Sequence, residues 1–109
     1  MEICVLRKVN DHGIHYLAFV FVCPGCAQFG QSGLHMLPVN SSTKTPSWYF
    51  NNDFVKPTLS PSIKTTTHRG DVCHSFLENG TLRFLEDSTH CFAGQTVPLP
   101  ELEEWMKKL

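Results

Sequence analysis

Two cysteines three positions apart, Cys23 and Cys26 in "FVCPGCAQFG", follow directly on the apolar run "IHYLAFVFV". Cys-x-x-Cys serves two chemistries. A redox dithiol sits at the start of a helix, whose N-terminal dipole lowers the pKa of the first thiol. Here "AQFGQSG" follows, rich in glycine and without a helical stripe. A metal knuckle needs a strand that delivers the first thiolate and a tight turn that folds the second back beside it. Pro24 fixes one φ and Gly25 accepts conformations that other residues resist, which suits that turn. The spacing matches structural zinc sites, so Cys23 and Cys26 are expected to supply half of a Zn2+ site.

Such a site needs four ligands, and the second pair must come from His35, Cys73, His74, His90 and Cys91. Strand parity narrows the choice. "VCHSFLENGTLRFLED" reads as two strands joined by Asn79-Gly80, the dipeptide best suited to a two-residue type I′ turn. Leu77 then faces Leu82, Ser75 faces Phe84 and Cys73 faces Glu86, all on one side, with His74, Phe76, Arg83 and Leu85 on the other. Steps of two past Glu86 bring His90 to the face of Cys73 and Cys91 to the face of His74. Either pairing needs a bend after Asp87, which "DSTH" can supply, because His90 lies about 13 Å beyond the partner of Cys73 in an extended chain. Cys73 with His90 is favoured, since a thiolate is the stronger ligand for zinc and Cys73 lies in a well-defined strand. His74, Cys91, Gln95 and Thr96 remain as alternative ligands or as groups that hydrogen-bond around the site. His12, His15 and His68 are expected to be ordinary solvated imidazoles.

The elements that must position these groups are mostly short strands, rich in Val, Ile, Phe, Tyr and Thr and punctuated by Gly, Pro and Asn. "EICVLRKV" and "IHYLAFVFV" flank "NDHG", which predicts an antiparallel hairpin over residues 2 to 22. "GLHMLPV" is a further strand, "NSSTKTPS" an exposed loop, and the prolines of "PTLSPSIKTTT" confine that stretch to an edge strand or an extended segment. "PELEEWMKKL" predicts a C-terminal helix, with Pro100 at its first turn, acidic residues early, lysines late, and Leu102, Trp105, Met106 and Leu109 on one stripe. Together they predict a single domain over 1–109, mostly β in an α+β arrangement: a small antiparallel sheet with a zinc knuckle and a terminal helix.

Charge and hydropathy exclude several roles. A net charge of −1, with nine basic residues against ten acidic ones scattered along the chain, gives no cationic stripe for nucleic acid as the main partner. The longest apolar run is far short of the roughly 20 residues of a membrane span, so no membrane partner is expected. No secretory signal opens "MEICVLRKV", and the five cysteines suit a reducing cytoplasm better than disulfides.

"CPGC", then "WYFNND" with "KPTLSPSI", then "CHSFLENGTLRFLEDSTHCFAGQTVPLP" resemble, in the same order, the motifs of a family of small phage and prophage proteins, some of which carry an ammonia monooxygenase label. The resemblance spans residues 19 to 100. It implies that Cys23, Cys26, Cys73, His74, His90 and the "AGQT" at 93 to 96 belong to characteristic blocks. The chain departs from the pattern at Ser88, where members usually have Cys, and at Cys91, where they have an apolar residue. His35 also comes later after the knuckle than the family's histidine.

Two functions follow as expectations. The first is a zinc-clamped protein-binding module that docks on an unidentified host or phage protein in the host cytoplasm, as an inhibitor of a host defence complex. Exposed aromatics such as Trp48, Tyr49 and Phe54 would carry that contact. The second is a zinc- or cysteine-dependent hydrolase, because Cys73, His74, Asp87, His90, Gln95 and Thr96 gather enough chemistry for a thiol nucleophile with an imidazole base, or for an open zinc site with a bound water. Binding comes first as a general prior, and if Cys23, Cys26, Cys73 and His90 take all four positions on the ion, none is left for an activated water and no turnover is expected.

Overall fold

A computed structural model describes residues 1–30 and 32–109 of the chain as three small antiparallel sheets around one core. β1 (Val5–Asp11), β2 (Ile14–Val22) and β3 (Leu34–Val39) form the first sheet in that order. The β1–β2 hairpin runs in the register Val5↔Val20 to Asp11↔Ile14, as "NDHG" predicts. β4 (Tyr49–Phe50) and β5 (Leu59–Ser60) pair as a two-residue ladder. β6 (Ile63–Thr66), β7 (Val72–Glu78), β8 (Thr81–Phe84) and β9 (Thr96–Pro98) make the third sheet in the order β6-β7-β8-β9.

The hairpin between β7 and β8 sets which way each residue of β7 faces. Asn79 and Gly80 both take positive φ, 50° and 80°, the type I′ geometry that "NG" favours. The resulting register, Leu77↔Leu82 and Ser75↔Phe84, is the one the sequence predicts. Cys73, Ser75 and Leu77 therefore point into the core, while Val72, His74 and Phe76 take the opposite, half-buried face. Phe19, Phe21, Phe50, Leu59, Leu77, Leu82 and Phe84 fill the interior between the sheets. β6, which follows Pro61, is an edge strand, as expected for the proline-punctuated stretch that carries it.

Two local expectations need correction. The C-terminal decapeptide is not an α-helix: residues 101 to 103 carry no helix, and only a 3-10 turn, Met106–Lys108, forms. A helix of ten residues is marginal without tertiary support. The Leu102 N–H, which would be unpaired in the first turn of a helix opening at Pro100, donates to the Glu2 carbonyl at 2.8 Å and ties the start of this segment to the N-terminus. Leu102 and Met106 still reach the core, whereas Trp105 and Leu109 stay exposed. The knuckle, in turn, contains a single helical turn, α1 (Pro24–Ala27), which Cys23 caps by accepting the Cys26 N–H on its sulfur at 3.4 Å.

Candidate functional site

Adjacent residues on β7 serve two different sites, one on each face of the sheet. On the inner face, Cys73 meets the knuckle. Strand β2 delivers Cys23, α1 folds Cys26 back, and the three buried sulfurs lie within 4.8 Å of one another, with Cys23 and Cys73 at 3.5 Å. Hydrogen bonds from Cys26 and Cys73 hold the Cys23 thiol far below its ordinary range, and the same interaction pushes Cys26 up to about 12 and Cys73 higher still. Three buried sulfurs with one stabilised thiolate form a soft donor set that could hold a metal ion.

Two imidazoles flank this cluster. Strand β3 pairs His35 with Phe21, stacks its ring on that phenyl at 5.1 Å and brings Nε2 to 3.2 Å from Cys26 Sγ. His90 arrives from the loop after β8 and is buried against Phe84, Phe29 and Phe92. Its ring lies directly over Gly25, where an added Cβ would stand 2.7 Å from Cε1. Glycine at position 25 is thus a matter of space for the imidazole as much as of turn geometry. His90 Nε2 is buried with no hydrogen-bond partner among the described residues, while Nδ1 accepts the Phe92 N–H at 3.2 Å. Burial pulls the His90 pKa down, against the opposing pull of Cys23.

On the outer face of the sheet, His74 joins two residues from other segments. Its Nδ1 lies 3.0 Å from Oδ2 and 3.2 Å from Oδ1 of Asp87, and its Nε2 lies 3.1 Å from Ser62 Oγ. The backbone explains the convergence. Lys64 pairs with His74, so Ser62, two residues earlier on the same face, sits diagonally across from the imidazole. The segment after β8 is stitched to β7: the Leu85 N–H donates to the His74 carbonyl at 2.8 Å, the His74 N–H donates to Ser88 Oγ at 3.0 Å, and the Thr89 N–H donates to the Val72 carbonyl at 2.8 Å. Those bonds fix Asp87 opposite the ring. Trp48 Nε1–H donates to the Ser62 carbonyl at 3.2 Å and holds the serine from its other side. A proton on His74 Nδ1, donated to Asp87, leaves Nε2 as the acceptor for the serine hydroxyl, the tautomer that a Ser-His-Asp relay needs.

The sequence-selected residues thus divide between two places. Cys23, Cys26 and Cys73 converge, with His90 beside them. His74 lies away from the cluster, on the opposite face of its strand, and partners Ser62 and Asp87. Cys91 is exposed, and Gln95 donates from Nε2 to the Cys91 carbonyl at 3.3 Å, bracing the loop that carries His90. Thr96 pairs with Arg83 at the start of β9. Trp48 is half-buried as a support of Ser62, and Phe54 is 47% exposed, set edge-on to Phe50. Ser62 carries no mark in the sequence that singles it out as a site residue, and the spacing after the knuckle counts against His35. The available signal was register: each sits on or beside a strand whose partner holds a recognised residue. A surface depression lined by Lys8, His15, Tyr16 and Asn40 shares no residue with either site. Among the described residues, no helix is long and apolar enough to cross a membrane.

No curated protein and no solved structure matches the chain. A family model does, over residues 3–85, a span that takes in Cys23, Cys26, His35, Ser62, Cys73 and His74 and stops just short of Asp87. That span is well over half of the chain, which therefore belongs to the family described as the bacterial ubiquitination-like system serine protease, BubE.

Proposed function

We propose that the chain is a serine hydrolase that cleaves an acyl bond of a protein substrate, with Ser62 as nucleophile, His74 as general base and acid, and Asp87 as the group that orients the imidazole. The continuous hydrogen-bonded path from Ser62 Oγ through His74 to Asp87 carries this reading. In the first step Ser62 Oγ attacks the substrate carbonyl carbon and its proton passes to His74 Nε2. Collapse of the tetrahedral adduct breaks the carbon–nitrogen bond, and His74 returns the proton to the departing amine. Water then attacks the ester on Ser62, gives one proton to His74 and releases the carboxylic acid as Ser62 recovers its hydrogen. Asp87, half exposed, holds the imidazole in place and faces the imidazolium formed in each half-reaction. Membership of a family of serine proteases from ubiquitination-like systems supports a ubiquitin-like protein as substrate.

The inner-face cluster has a structural part in this reading. Cys23, Cys26 and Cys73 would hold a zinc ion, and zinc bound by three thiolates and an imidazole acts as a crosslink rather than as an acid. His35 is the fourth ligand we favour over the His90 expected from hairpin parity. A neutral ring that accepts a hydrogen bond on Nδ1 carries its proton on Nε2, which leaves Nε2 of His90 no lone pair with which to ligate. Metal analysis of single variants separates the two: His35→Ala should lose the metal, and His90→Ala should retain most of it.

Reaction with a fluorophosphonate probe is the direct test of the nucleophile. The wild-type protein should be labelled at Ser62, Ser62→Ala should not be labelled, and equal labelling of both would end the hydrolase reading. A second reading, stoichiometric binding to a partner protein, is supported by the exposed Tyr49, Phe54 and Val55, which are 62%, 47% and 78% exposed. A Ser62→Ala protein that keeps its full cellular effect, with that effect lost in Phe54→Ala, would favour it.

A further inference from the structure

We infer that the free edge of β6 is the substrate-binding strand: an extended stretch of the substrate adds antiparallel to it, with the residues on the acyl side of the scissile bond running along Ser62 to Thr66. The inference rests on the serine-hydrolase reading and deepens it.

The orientation of the backbone groups on β6 follows from the bonds on β7. His74 and Val72 spend their own N–H and C=O groups on the 85–89 segment, through Leu85, Ser88 and Thr89. Both polar groups of a strand residue point the same way, so Cys73 and Ser75 turn theirs toward β6. Their partners Thr65 and Ile63 are consequently the hydrogen-bonded pairs of that ladder. Lys64 and Thr66 must then turn their N–H and C=O groups outward. No strand lies on that side, since β6 ends the sheet.

An edge of this kind is a template for pairing with an extended chain. What separates it from an ordinary edge is the position of the nucleophile. Ser62 immediately precedes the strand and lies on the face shared by Lys64 and His74, and its own carbonyl is taken by Trp48 Nε1–H, so a chain paired along Lys64 to Thr66 would end beside Ser62 Oγ without pairing with the Ser62 backbone. Antiparallel addition sets the scissile residue opposite Ser62, the third acyl-side residue opposite Lys64 and the fifth opposite Thr66. Lys64 and Thr66 would each exchange two hydrogen bonds with the residue they face, and the intervening substrate residues would turn their amides away.

The test uses p-nitrophenyl esters of acetylated alanine peptides with the whole protein, because such esters need little help from side-chain specificity. A pentapeptide ester should be turned over with kcat/KM at least tenfold above a single-residue ester. N-methylation at the third or fifth residue from the ester should return it to the single-residue level, and N-methylation at the second or fourth should change it less than threefold. A pentapeptide no better than the single residue, or losses without that alternation, would overturn the edge while leaving Ser62-dependent ester hydrolysis intact. Ester turnover equal in wild type and Ser62→Ala would instead remove the hydrolase reading, and the edge inference with it.

Discussion

Ser62, His74 and Asp87 come from three segments, and each can be changed with little effect on packing because all lie on the half-exposed face. Ser62→Ala removes the nucleophile and one hydrogen bond, worth about 1 kcal/mol. The expected result is a fall in kcat of at least about a thousandfold with a nearly unchanged melting temperature. Asp87→Asn should cost a comparable factor by favouring the wrong imidazole tautomer, and circular dichroism should show both variants folded. These three residues were unequally legible in the sequence. His74 and Asp87 stood out as titratable groups near a hairpin whose turn, Asn79-Gly80, is a local signal. Ser62 is one serine among several in polar, proline-punctuated sequence, and only the long-range register Lys64↔His74 reveals what it faces. The knuckle was readable because four consecutive residues specify it, while the place of His35 becomes visible only through its pairing with Phe21.

At the scale of elements, β7 is the strand on which the two sites depend. Its alternation, foreseen from the turn, placed Cys73 inward, but the same reading carried the second strand past Glu86 in extended form. β8 in fact ends at Phe84, and the chain then folds along β7, which brings Asp87 to His74. The α1 turn gives a sharper test of the metal centre than deletion of a ligand. Gly25→Ala places a methyl group in the His90 ring, and we expect the α1 turn to be pushed off its position between Cys23 and Cys26, with lower metal affinity and a less stable fold, measured by chelator competition and urea titration. Double substitution with His90→Ala should recover part of the loss, because the clash is then gone. The C-terminal decapeptide illustrates the opposite limit of legibility: its apolar stripe identified the buried residues Leu102 and Met106, yet the backbone took a different path. Leu102→Ala should cost about 2–4 kcal/mol despite lying outside any helix, and Trp105→Ala, half exposed, should cost far less.

For the whole molecule, the cysteine cluster is a crosslink between sheets, since Cys23 directly follows β2 of the first sheet and Cys73 belongs to the third. Chelation should therefore lower the unfolding midpoint and abolish hydrolysis together, whereas Ser62→Ala abolishes hydrolysis alone. Metal affinity should also fall as pH falls, because protons compete for the thiolates. A separate pH effect belongs to Cys4, whose thiol burial, with Asp53 and then Glu2, pushes up from 9.0 to about 11. A raised folded pKa favours the protonated thiol in the native state, so its stabilisation is complete below pH 9 and is lost as pH rises toward 11, by at most about 3 kcal/mol. Thermal melts of the metal-loaded protein across that window should show the decline, and Cys4→Ala should flatten it.

The placement of Cys73 and His74 side by side on one strand also constrains how the gene can vary. Substitutions on β7 act on one face at a time, but a single-codon insertion or deletion between Val72 and Leu77 reverses the parity of every residue beyond it. Such an indel upstream of Cys73 would aim the thiol at solvent and the imidazole at the metal cluster, and no point change elsewhere could restore both. Length variation among homologues should accordingly fall in the loops at 40 to 47 and 67 to 71, and a library of random indels selected for function should leave this strand without a gap.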